Sequence, residues 1–137
     1  MIRILLALAA ATTAAAAAPP PAPITHAEIT VPRANGPQQV VVQTREFPKG
    51  ASSGWHVHNG TEVAYLVSGE MEFRVAGNPV QRQHPGESIT IPRGIAHMGT
   101  SVGNEPARLV ITLVVDKGKP LRVAVPVPKT MPAPKGQ

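Results

Sequence analysis

Residues 50–69 read GASSGWHVHNGTEVAYLVSG and residues 86–97 read GESITIPRGIAH. In the first stretch His56 and His58 stand two apart. Alternate residues of a strand point to the same side, so a strand here puts both imidazoles on one face. Glu62 follows beyond Asn59-Gly60, a dipeptide suited to a tight hairpin, and a reversal there sets Glu62 beside the histidine pair. In the second stretch His97 comes directly after the Pro92-Arg93-Gly94 turn signal and is placed to close the set from another strand. Imidazoles and a carboxylate converging on one point suit a borderline or hard divalent ion. Taken alone, a His-x-His pair is more often solvated surface, and a lone histidine more often a hydrogen-bonded core residue. What favours a site is that each histidine keeps a fixed distance from the glycines and prolines that set the turns.

Working outward, the chain shows short apolar runs separated by turn residues: 27–31, 39–47, 55–58, 61–67, 70–76, 80–83, 88–91, 95–100, 108–115 and 121–127. In 70–76, Met71, Phe73 and Val75 alternate with Glu72 and Arg74, which makes the first three core candidates. The run 108–115 has large aliphatics at both sets of alternate positions and reads as a strand buried on both faces. Aromatics are only 3%, so the core rests on Val, Ile and Leu, which favour strands. The 16 prolines and 12 glycines exclude a helical bundle or coiled coil. There is no cysteine, hence no disulfide framework and no thiol nucleophile. The expectation is an all-β sandwich, jelly roll or small barrel.

The two quoted stretches resemble the two motifs of the cupin superfamily. The first motif runs Gly, five residues, His-x-His, three or four residues, Glu, six residues, Gly; Gly50, His56, His58, Glu62 and Gly69 fill it. The second runs Gly, five residues, Pro-x-Gly, two residues, His, three residues, Asn; Gly86, Pro92, Gly94 and His97 fit, and Ser101 stands in place of the final Asn. Sixteen residues separate the motifs. The resemblance implies an antiparallel double-stranded β-helix, a jelly-roll barrel of six to eight strands. It further implies one divalent ion (Mn, Fe, Ni, Zn or Cu) held inside by His56, His58, Glu62 and His97, with coordination positions left open. In some members the carboxylate at the Glu62 position leaves the metal and acts as a general base. If Glu62 faces inward, strand parity puts Ala64 and Leu66 inward and Val63, Tyr65 and Val67 outward. His84, just before Pro85-Gly86, reads as exposed.

The flanks differ from this body. Residues 1–18 (MIRILLALAAATTAAAAA) have a positive start, an apolar stretch and an alanine-rich end, the layout of a secretory signal peptide. The strongly apolar part is too short to span a bilayer, so no stable membrane insertion is expected and the destination is periplasmic or secreted. Residues 19–37 form an extended proline-rich leader with a first strand at 27–31. Residues 38–127 are the barrel, and 128–137 a basic, proline-rich tail. Between His26 and Asp116 seven basic residues face eight acidic ones, so the net charge of +5 comes from the flanks and no nucleic-acid partner is expected.

Fold does not fix function. The open metal positions point to a metalloenzyme acting on a small-molecule, oxygen-rich substrate, of dioxygenase, isomerase or decarboxylase type. A non-catalytic module that holds a metal or small ligand outside the cytoplasm fits the same residues. A homodimer is expected, because one barrel interior can bury only one face of residues 108–115 and a large apolar patch on a monomer is rare.

Overall fold

Burial alternates along β-strand segments 60–67, 71–75, 88–91 and 97–101, and it sorts their side chains into an inner and an outer set. The structure is a computed structural model and describes residues 17–31 and 36–129. The signal-peptide reading therefore lies almost wholly, and the basic tail mostly, outside the described residues. Ten strands occur among them: β1 (Ile24–Val31), β2 (Gln38–Phe47), β3 (His56–Val57), β4 (Gly60–Ser68), β5 (Met71–Val75), β6 (Gln81–Gln83), β7 (Ser88–Ile91), β8 (His97–Ser101), β9 (Ala107–Asp116) and β10 (Val123–Ala124). They form two five-stranded sheets, ordered β1-β2-β9-β4-β7 and β10-β3-β8-β5-β6. All pairings are antiparallel. This is the double-stranded β-helix, with ten strands rather than six to eight. Among the described residues no helix is long and apolar enough to cross a membrane.

The inner faces supply the core. Ala64, Leu66, Met71, Phe73, Val75, Ile89, Ile91 and Leu109 pack into the larger apolar cluster, joined by Phe47, Ala51 and Ala107. A smaller cluster holds Val41, Leu113 and Val115, and Ile111 packs against both. Strand parity is therefore as expected in β4 and β5. Val63, Tyr65 and Val67 point out and are 40–45% exposed.

Three expectations need correcting. Asn59-Gly60 is not a hairpin: β3 belongs to one sheet and β4 to the other, so the chain crosses between sheets there. Gly60 serves a different purpose, because a Cβ on it would come within 2.0 Å of the Val114 carbonyl oxygen. Its hydrogen allows β4 and β9 to approach, and β4 then runs along β9 from Gly60↔Val115. Next, β9 is not buried on both faces. Leu109, Leu113 and Val115 are buried, whereas Val110, Thr112 and Val114 are only partly covered. Finally, the run 121–127 gives a strand of only two exposed residues, Val123–Ala124, paired with β3. Leu121 packs on the smaller cluster, while Val127 is exposed. At the other end β1 starts at Ile24, earlier than the run 27–31, and lies along β2 of its own chain.

Candidate metal centre

His56 opens β3 and pairs in register with His97, which opens β8. His58 follows β3 directly, and Glu62 comes from β4 on the facing sheet. The crossing at Asn59-Gly60 carries the chain from the histidine pair to the carboxylate. The crossing is pinned on both sides: the Asp116 N–H donates to the Asn59 carbonyl at 3.0 Å, and the Gly94 N–H donates to the His58 carbonyl at 3.1 Å. Gly94 itself has a φ of 72°, a conformation that favours glycine in the turn leading to His97.

All four side chains are buried: His97 is 1% exposed, Glu62 5%, His56 6% and His58 7%. One potential ligand atom from each lies within 4.8 Å of all the others. That separation is small enough for one ion at ordinary ligand distances.

The three imidazoles are held in the same way. Each Nδ1 faces a backbone carbonyl: His56 to Gly54 at 2.9 Å, His58 to Leu121 at 2.5 Å, and His97 to Ile95 at 2.9 Å. A carbonyl only accepts, so each Nδ1 carries the proton, and each Nε2 of a neutral ring is left with a lone pair. Fixing the ring and its tautomer through the second nitrogen is the usual support of a metal-binding imidazole.

Glu62 Oε2 is 2.5 Å from His58 Nε2 and 3.1 Å from His97 Nε2. Despite its closeness, the His58 contact lacks hydrogen-bond geometry, and His58 Nε2 is a buried nitrogen with no hydrogen-bond partner. Two lone pairs that close require a positive centre between them, either a proton or a metal ion. The donor set and the orphaned nitrogen both fit a divalent ion.

The titration behaviour follows the same geometry. Burial alone would raise the Glu62 pKa, but the close contacts with His58 and His97 override it and hold the carboxyl down at about 2. Burial, followed by the charge of His97, pushes His56 down to about 3. Burial also acts to lower His58, yet its contact with Glu62 outweighs that and the net direction is upward.

The cluster forms part of the wall of a cavity of about 490 Å³. Apolar side chains of Met71, Phe73, Leu109, Ile111 and Leu113 line it, and Pro19, Pro20 and Pro23 of the leader border it. Gln43, Arg45, Ser53 and Arg122 add polar groups. Sequence reading missed these four. Gln43 and Arg45 share the β2 parity of the buried Val41 and Phe47. Arg122 precedes a two-residue strand and carried no comparable signal.

Two further sequence readings can be placed. His84 is exposed, with its Nδ1 3.8 Å from Glu70 and away from the cluster. Ser101, which replaces the motif's Asn, is buried, and its Oγ has no hydrogen-bond partner.

A family profile described as "Cupin domain" matches residues 43–116. A dimethylsulfoniopropionate lyase, DddQ, from Ruegeria pomeroyi is 33% identical over 51 residues, which are 37% of this chain and 25% of that protein. Its crystal structure superimposes with a TM-score of 0.57 at 23% identity, covering 72% of this chain and 45% of that one. An uncharacterised double-stranded β-helix protein from Klebsiella pneumoniae gives a TM-score of 0.54 at 22% identity, covering 71% and 80%. Oxalate oxidase in complex with the substrate analogue glycolate gives 0.57 at 24% identity, covering 63% and 46%. The chain thus spans only a quarter to a half of the lyase and oxidase chains, and these structural likenesses speak to the fold.

Proposed function

Because the chain belongs to the cupin family, we propose that it is a metal-dependent enzyme holding one divalent ion through His56, His58, Glu62 and His97 and acting on a small, oxygen-rich substrate. The observation that carries this reading is the set of three imidazoles, each anchored through Nδ1, whose free nitrogens meet Glu62 at the wall of a cavity. A bound Mn, Fe, Ni, Zn or Cu ion would supply Lewis acidity, or redox chemistry if iron, copper or manganese, at that wall. The chain does the rest. The imidazole rings cannot turn away without breaking their carbonyl bonds. The apolar walls exclude water from the bound substrate. Among the described residues Glu62 is the one carboxylate lining the cavity, so when it leaves the metal it is the group placed to take a proton from a substrate there. The names of DddQ and oxalate oxidase, a lyase and an oxidase of small molecules, favour an enzymatic reading over a non-catalytic binding module.

The test combines elemental analysis with oxygen-uptake and product screens against flavonoids, diketones and small carboxylates. Metal-dependent turnover that is lost in Glu62→Gln is the expected result. A fully loaded protein inert across the screen would instead be a binding module.

The same reading makes the protein an exported homodimer. Export rests on residues 1–18, and N-terminal sequencing of native protein should find the first 16 or so residues removed. The dimer rests on the outer face of the β1-β2-β9-β4-β7 sheet. There Val63, Tyr65 and Val67 are exposed and Val40, Val42, Val110 and Val114 are partly exposed, a patch that pairing two copies would cover. Light scattering should give twice the monomer mass; a monomer mass independent of concentration would refute this.

A further inference from the structure

The cavity holds more positive charge than its ion pairs account for. Arg45 lies on the inward face of β2, over the Phe47 ring at 5.1 Å from the ring centre. Its Nε is buried and has no hydrogen-bond partner. Arg122 lines the same cavity, fixed by its Nη2 donating to the Ser53 carbonyl at 2.5 Å. Among the described residues neither guanidinium has a carboxylate within ion-pair distance, and Glu62 pairs only with His58 and His97. Burial disfavours the Arg45 charge, and the neighbouring Arg122 adds to that effect. Two guanidinium charges line one cavity against the single carboxylate of Glu62, and one of them keeps a buried N–H donor without a partner, an arrangement that suits an anionic group.

We propose that Arg45 and Arg122 form a carboxylate-binding subsite, so that the substrate is a small organic acid carrying a second oxygen function for the His56–His58–Glu62–His97 end of the cavity. Only that second function rests on the metal reading; the arginine subsite stands on its own contacts. A planar guanidinium offers a carboxylate two parallel N–H donors, and Arg45 keeps a cation–π contact with the Phe47 ring. Phosphate would carry charge too, but no helix N-terminus is present to cradle it among the described residues. A volume of about 490 Å³ lies toward the small end for ligand pockets, which suits a compact diacid or hydroxy acid.

Isothermal titration calorimetry of the purified chain tests the proposal, with malonate, succinate and glutarate as probes and dimethyl succinate and inorganic phosphate as controls. At least one diacid should bind metal-loaded protein with a Kd below about 1 mM. Arg45→Gln and Arg122→Gln should each weaken it about tenfold or more while leaving metal content unchanged. Arg122 is exposed at the cavity mouth, so its variant should fold even if the Arg45 variant does not. Three results would overturn the subsite: no diacid binds, the diester binds as well as the diacid, or Arg122→Gln leaves the affinity within about twofold. Phosphate binding tighter than every diacid would overturn the carboxylate assignment. Failure of the metal reading looks different: wild-type protein would hold no metal, while diacid binding would persist and still fall in Arg122→Gln.

Discussion

The barrel interior has two parts built on opposite principles. Around Leu66, Met71, Phe73, Ile91 and Leu109 it is apolar and closely packed, with Leu66 wholly buried. Around His56, His58, Glu62 and His97 it is equally buried, yet filled with groups that prefer water. The first part gains free energy from removing apolar surface from water. The second loses it, because burial of polar and charged groups is costly unless they are paired. The histidine site is tolerated because backbone carbonyls and one carboxylate satisfy most of its atoms. The atom left over, His58 Nε2, is compatible with a bound cation. Stability and function therefore occupy adjacent layers of one barrel, and substitutions should separate them.

The largest effect is expected in the apolar part. Leu66→Ala should cost about 2–5 kcal/mol by denaturant unfolding, without changing the metal bound per folded chain. A coupled loss of metal in the folded fraction would show that the two layers are not separable. Gly60→Ala comes next, since its Cβ would run into the β9 backbone at the crossing that delivers Glu62. We expect a loss of about 1–3 kcal/mol together with weakened metal binding, measured by denaturation and metal titration.

Acid should act on the polar part first. In the metal-free protein the folded pKa of His56, about 3, lies below its ordinary 6.5. The unfolded chain then binds more protons between those values, so this group makes stability fall as the pH is lowered from 6.5 toward 3. His58 works the other way: its raised pKa adds stability that is complete below 6.5 and lost as pH rises through its folded value. For metal binding the sign is simpler, because a proton on His58 competes with the ion. Affinity should fall about tenfold per pH unit below the raised His58 pKa. Metal titrations at several pH values check this, and Glu62→Gln should move the His58 titration downward by NMR.

The smallest effect sharpens the contrast from the apolar side. Ser101 is a buried hydroxyl with no partner, set opposite Met71 in the sheet. Ser101→Ala removes an unsatisfied group and should change stability by less than about 1 kcal/mol, in either unfolding or metal assays.

Which parts were legible in the sequence follows from how local the signals are. Within β4 and β5, period-two alternation named the inward Ala64, Leu66, Met71, Phe73 and Val75 because each strand carries its own face. The spacing around His56, His58, Glu62 and His97 brought out four residues that the structure does place together. Asn59-Gly60 misled because turn chemistry records a change of direction but not the sheet that the next strand joins. The run 121–127 misled because alternation without a long partner does not make a strand. Arg45 was passed over for a third reason. The outer Val40 and Val42 offer β2 a second apolar face, so parity within the strand named no inner side until Val41 and Phe47 were seen buried.

The most direct measurement is elemental analysis of the exhaustively dialysed protein beside its His56→Ala/His58→Ala double variant, with circular dichroism confirming that both are folded. The wild-type chain should hold about one divalent ion and the variant none. A folded variant that keeps full metal content, or a wild-type protein that binds none of Mn, Fe, Ni, Zn or Cu, would contradict this.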